Sequence, residues 1–283
     1  MTTMTLTGRT VRLANAVILS AALAVTGCAV APTAQELAAT QDECSRYRAP
    51  FTTLSQERNA RIANFAKVGA GVGAVVGQNV ARNNDDNPLK GALLGALAGA
   101  ALGATAGYLS DLQKRATSTA GLQSAVNGDA ARDLRETDRL TASMTALNQC
   151  RLSQIAQIEK SVRAGGDRAA ATTTLRTIRA KVAVDNRVID AVVGDLTRTR
   201  NLYIGALSQT GADTDTFVAS IERYQPRVAT PQRTALRVDQ SQRPRTANPV
   251  ANLGFAEKEL SAGAVAHAQS IDAALADVNA LLI

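Results

Sequence analysis

Tryptophan is absent from this sequence, aromatic residues amount to 3% of it, and its only histidine is His267. With so few rings to fill a deep core, the long stretches of Ala, Thr, Gln and Arg suit elongated helices that meet along thin seams. A single histidine also removes most catalytic chemistry. No Ser/His/Asp grouping, metal cluster or phosphate loop can be assembled, so the chain reads as a non-enzyme with no cofactor. The glycine runs lack the strand-turn-helix setting of a dinucleotide site. His267 falls in the stripe Leu260, Ala264, His267, Ile271, Leu275, Val278 and Leu282, which makes it a helix-seam residue. Three cysteines and one histidine are too few for a metal set.

What is present begins with charge. The 283 residues carry a formal net charge of +7 and a pI near 9.7, enough to raise a nucleic-acid partner as a question. The N-terminus answers it. Arg9 and Arg12 precede an apolar stretch over 13–25 with only Asn15 and Ser20 as polar interruptions, and Val25-Thr26-Gly27-Cys28 closes it. This pattern predicts a secretory signal over 1–27, and export makes nucleic acid an unexpected partner.

Val25-Thr26-Gly27-Cys28 resembles the bacterial lipobox. The resemblance implies cleavage before Cys28 and acylation, including palmitate, of that residue. Several acyl chains, at about 0.8 kcal/mol per buried methylene, make a lasting anchor in membrane lipid. Ala29 stands where the family's inner-membrane retention signal has Asp, so the outer membrane is the expected location, with most of the chain facing the periplasm. The carboxyl end, Leu281-Leu282-Ile283, has no terminal Lys for covalent attachment to the cell wall, and none is expected.

The most regular stretch lies over 67–108. Gly69, Gly73 and Gly77 form one run, Gly91, Gly95, Gly99, Gly103 and Gly107 a second, and Asn83-Asn84-Asp85-Asp86-Asn87-Pro88 separates them. A four-residue period predicts a helical hairpin with a stripe free of side chains on each arm, where backbones approach closely. The second arm is uncharged over 91–109 and would be about 28 Å long, close to the roughly 30 Å of a bilayer core. The first has only a short apolar run above Lys67. Each four-residue step overshoots the helical turn by about 40°, which favours a right-handed crossing. A soluble Ala/Gly hairpin inside a helical bundle is the competing reading. The segment from Gly91 to Tyr108 is similar to the glycine zipper of bacterial envelope lipoproteins. That likeness implies a two-helix element that associates with membrane or with other copies of the chain.

Elsewhere helices predominate. Residues 34–48 read as a polar helix that Pro50 interrupts or restarts, followed by an apolar stripe through Phe51, Leu54, Ile62 and Phe65 with Arg58 as a polar gap. Asn127-Gly128 is expected to stop the helix after the zipper, with Asp129 capping the next. Leu140, Met144, Leu147, Ile155, Ile158 and Val162, then Gly165-Gly166 with Asp167 as N-cap, then Leu175, Ile178, Val182, Ile189, Val193, Leu196 and Tyr203 predict an antiparallel coiled-coil hairpin. Arg151 and Asp185 interrupt its seams, where they either fix register or mark a seam left partly exposed, and a docking surface for another helix is a further reading.

Cys44 and Cys150 remain for an oxidising compartment, where a disulfide is their natural use. Straight antiparallel arms would leave them about 30 Å apart at 1.5 Å per residue, so the bond requires the chain to fold aside near Asn127-Gly128. It would then clamp the base of the zipper. The Pro-rich stretch with Arg227, Arg233, Arg237, Arg243 and Arg245, balanced only by Asp239, reads as a solvated linker or as a contact for an anionic lipid or envelope polymer.

The expected fold is therefore all-α, elongated helical hairpins joined by flexible linkers. Its parts are a signal over 1–27, a tether with a short helix over 28–50, the zipper hairpin over 51–126, the coiled-coil hairpin over 129–207, a linker with a short helix over 208–252 and a final helix over 253–283. The expected function is that of a lipid-anchored structural or assembly protein of the outer membrane, whose zipper mediates insertion or self-association as a homo-oligomer. A pore or secretion component built from zipper hairpins, and a periplasmic helical adaptor with a soluble zipper, are the alternatives.

Overall fold

The computed structural model describes residues 31–58, 60–61, 63–64, 107–229 and 236–283. Cys28, the signal, and every zipper glycine but Gly107 lie outside them. The fold is all-α. α1 spans Ala34–Ala39, α2 residues 45–58 with helical residues 60–61 and 63–64 beyond, and α3 residues 107–115. α4 spans Thr119–Arg163, α5 Arg168–Gln209, α6 Asp215–Arg223 and α7 Pro249–Leu282. A two-residue antiparallel ribbon, β1 (Val228–Ala229) with β2 (Arg237–Val238), lies between α6 and α7.

Local chemistry sets the ends of the long helices. Ser118 caps α4 through Gly121 N, and Asp167 caps α5 through Ala169 N and Ala170 N. Between them Gly165 turns the chain with φ +80°. Asn248 caps α7 and Pro249 opens it, four residues before the expected start.

Two breaks fall elsewhere than the sequence reading puts them. α4 runs straight through Asn127-Gly128, and the interruption is at residues 116–118. Gly128 faces open space on the exposed side, and burial of Val126, Asp129, Ala130 and Asp133 along the inner side outweighs a glycine cost of about 1 kcal/mol. Near the N-terminus the chain breaks at residues 40–44, where Asp42 and Ser45 hydrogen-bond each other. Helix α2 then continues through Pro50, which lies on its exposed side.

The expected coiled-coil hairpin of α4 and α5 is present, but it is not a two-helix unit. α7 packs against both, parallel to α4 and antiparallel to α5, and the shorter α2 lies against α5 through Arg48–Asp185 and Ser55–Asp195. Contact between α7 and α4 is close at Gly263, where a Cβ would collide with the Met144 side chain. One apolar cluster spans Leu140, Met144, Leu147, Leu196, Phe255 and Leu260. A second, toward the Gly165 turn, holds Ile155, Ile158, Leu175, Ile178, Ile271 and Leu275. Arg151 and Asp185 lie between the two.

The described part of the expected linker is also packed. Leu236 is 1% exposed and its N–H donates to Asn148 Oδ1 at 3.1 Å, which pins the ribbon to α4. Apolar residues in a Pro/Arg-rich stretch, Val228, Leu236 and Val238, provide enough burial to hold it there.

Candidate functional site

Two buried polar layers fix the helices that lead into and out of residues 66–107. The first surrounds the cysteines. Cys44 and Cys150 are bonded, with a Cα–Cα distance of 5.8 Å. The chain folds aside as the bond requires, at residues 116–118 instead of Asn127-Gly128, so α4 returns along α2. Beside the disulfide, Asp185 accepts from Arg151 Nε at 2.7 Å and from Arg48 Nη1 at 3.0 Å, and all three side chains are at most 3% exposed. Arg151 also pairs with Asp42, which Lys181 Nζ approaches to 3.0 Å. Burial opposes ionisation of Asp42, but hydrogen bonds from Arg151 and Lys181 overcome it and hold the carboxyl far below its usual range. The partly exposed seam expected at Arg151 and Asp185 is instead an enclosed charge network. Arg48, which lies on α2, supplies the partner that local sequence spacing cannot reveal.

The second layer lies at the other end of α2. Arg58, the polar gap of its stripe, is 1% exposed and places Nη2 3.3 Å from Asp133 and 3.2 Å from Glu136. Its Nε and Nη1 have no hydrogen-bond partner among the described residues. Tyr203 donates to Asp133 at 2.7 Å and Tyr108 to Asp129 at 2.8 Å, with ring centroids 5.5 Å apart. Burial, then the neighbouring carboxylates, raises both phenols far above the usual tyrosine range. Arg115 and Arg132 also reach Asp129, at 3.2 and 3.0 Å. Together with Arg61 and Asp111 these groups line a cleft of about 380 Å³. Gly107, the first described residue of α3, is buried here.

This layer adds a second hold to that of the disulfide, which joins the chain just before α2 to α4. Cys44 is fourteen residues before Arg58, about 21 Å along a helix, so the bond holds the far end of α2. Ion pairs and tyrosines, not the disulfide, hold the end next to the zipper segment. The signal for them was present as Asp129, Asp133 and Glu136, spaced by four and three on the face of α4 that carries Val126 and Leu140.

The basic residues divide. Arg243 is engaged, with Glu259 and with Asp138, the latter at 2.7 Å, and Tyr224 donates to Glu259 at 2.7 Å. That removes it from the expected anion contacts. Arg227, Arg237 and Arg245 are exposed, and Arg233 lies outside the described residues. His267 is fully buried in the seam. Asn148 Nδ2 lies 3.1 Å from its Nδ1 and 2.7 Å from Ser270 Oγ. Burial and then the Arg151 charge lower its pKa to about 4. Glu43 beside the bonded Cys44 and Cys150 is the one acid-and-sulfur group close enough for a metal among the described residues, and both sulfurs are committed to each other.

These features define an all-α, disulfide-bonded bundle with a glycine-rich segment inserted between two of its helices. Residues 66–107 of that segment match the model of the glycine zipper 2TM domain. No curated protein and no solved structure matches the chain. No helix among the described residues is long and apolar enough to cross a membrane.

Proposed function

We propose that this protein is a lipid-anchored, non-catalytic structural protein of the bacterial outer membrane, attached through acylated Cys28 and through a zipper that inserts into the membrane or associates with other copies. The observation that carries this reading is the glycine zipper match at 66–107 inside a loop closed by Cys44 and Cys150. Helices α2 and α3, which enter and leave that segment, are fixed to α4 and α5 by Arg58, Tyr108 and Tyr203. A bundle so tied is suited to hold a hairpin at a fixed angle.

Fractionation of the wild type and of Cys28→Ser, followed by alkaline extraction, tests the reading. The wild type is expected in the outer-membrane fraction, and the unlipidated variant is expected to resist extraction because the zipper remains inserted. Release of Cys28→Ser into the soluble fraction overturns insertion and leaves the lipid as the sole anchor. A wild type recovered as soluble protein overturns the anchor as well.

A further inference from the structure

The cleft beside the zipper segment has a composition that the ion network does not use up. Its walls carry four guanidinium groups, Arg58, Arg61, Arg115 and Arg132, against the two carboxylates Asp111 and Asp129. Asp129 is already shared by Tyr108, Arg115 and Arg132, and Asp111 by Arg115. Arg58 is held from behind through Nη2 alone, by Asp133 and Glu136. The N–H groups on its Nε and Nη1 are buried with no acceptor among the described residues. A buried donor left in this way forfeits its full hydration, and such groups in folded proteins mark an absent water, ion or ligand.

From these observations we infer that the cleft binds a phosphate group. The arginines come from three separate helices, α2, α3 and α4, and converge on a space of about 380 Å³. A phosphate presents several strong acceptor oxygens in different directions, which suits guanidinium groups arriving from different sides better than the two coplanar oxygens of a carboxylate do. Two sources offer this chemistry: a phospholipid headgroup and soluble phosphate. The cleft sits where α2 departs toward residues 66–107 and α3 returns from them. On the membrane reading of the zipper given above, headgroup phosphates lie at that level, so the lipid is the expected source. The phosphate site itself does not depend on that reading.

Calorimetric titration of the full chain in mild detergent tests it, with short-chain phosphatidylglycerol and with inorganic phosphate as probes. Saturable binding of the lipid is expected, weakened about tenfold or more by Arg61→Gln with Arg132→Gln. Arg139→Gln, which removes one exposed charge on α4 outside the cleft, is expected to leave it unaltered. Should the double variant fail to fold, Arg132→Gln alone serves, since that side chain is 54% exposed. Binding of inorganic phosphate with the same dependence on arginine, but none of the lipid, upholds the site and assigns it to soluble phosphate. Absence of binding by either probe, or equal weakening by Arg139→Gln, overturns the inference. Fractionation of Cys28→Ser reports on the zipper separately, so failure of one reading is distinguishable from failure of the other.

Discussion

Asp185 is enclosed between two arginines from different helices, and this arrangement makes its removal far more costly than the pair is worth. Two buried charges, Arg48 and Arg151, would be left with one carboxylate, Asp42, which pairs with Arg151 and is shared with Lys181. Asp185→Ala is therefore expected to lower stability by roughly 3–5 kcal/mol, whereas replacing Arg48, Arg151 and Asp185 together with apolar residues of similar volume should cost much less. Urea denaturation of the two variants checks this, and an equal loss in both would refute it. His267 adds a pH dependence of known sign. Its folded pKa, about 4, lies below the 6.5 of the free side chain, so the unfolded state binds more protons between those values. Stability should fall as pH drops from about 6.5 through 4, by roughly 3 kcal/mol in total. His267→Gln should flatten that window. Loss of the Asp42 interaction belongs to lower pH, since its carboxyl titrates below the usual range. Melting midpoints of wild type and variant across pH 3–8 separate the two effects.

At the scale of elements, the long amphipathic helices were legible and their junctions were not. Leu140, Met144, Leu147, Ile155, Ile158 and Val162 repeat at three and four residues with one skipped position, at Arg151, and are all buried as the period predicts. The same period marks α5 and α7. It is silent on which stripe faces which, so the placement of α7 between α4 and α5 could not be read. Junctions differ from the local signal where it competes with packing: Asn127-Gly128 and Pro50 are good breakers, but Gly128 and Pro50 lie on exposed sides of helices whose inner faces are held. The described part of the Arg/Pro-rich stretch differs from a solvated linker for the opposite reason, because a few apolar residues and the Arg243–Glu259 pair hold it to the bundle while Arg227, Arg237 and Arg245 stay exposed. The disulfide was legible as a pair, but its route was not, since the turn at residues 116–118 carries only Ser118 as a cap signal. Closing a loop of 106 residues, this bond should contribute about 2–4 kcal/mol. Reduction is expected to lower the denaturation midpoint of the wild type and leave that of Cys44→Ser with Cys150→Ser unchanged. A midpoint insensitive to reductant in both would show that the ion network alone holds α2.

For the whole molecule, the arrangement separates two kinds of helix packing along one chain. In the bundle, large apolar side chains and enclosed charges join α2, α4, α5 and α7. Over 66–107 the chain instead repeats glycine, at a cost of up to about 1 kcal/mol per helical residue compared with alanine. Such a cost is offset only if backbones come close, whether to lipid-embedded partners or to another copy. Gly95→Leu and Gly99→Leu therefore oppose two effects: each raises intrinsic helix propensity, and each fills the space that a close approach needs. If packing governs, both variants should lose self-association in detergent, read by chemical cross-linking and sedimentation. On that reading the stability of the bundle should stay within about 0.5 kcal/mol of the wild type, because a stripe that contacts other copies contributes nothing to the bundle's own packing. Association that persists unchanged in both variants would mean that the glycine stripe is not a contact between copies. A bundle midpoint that falls with the substitutions would instead place the zipper against α2–α7, as a soluble hairpin packed on its own scaffold.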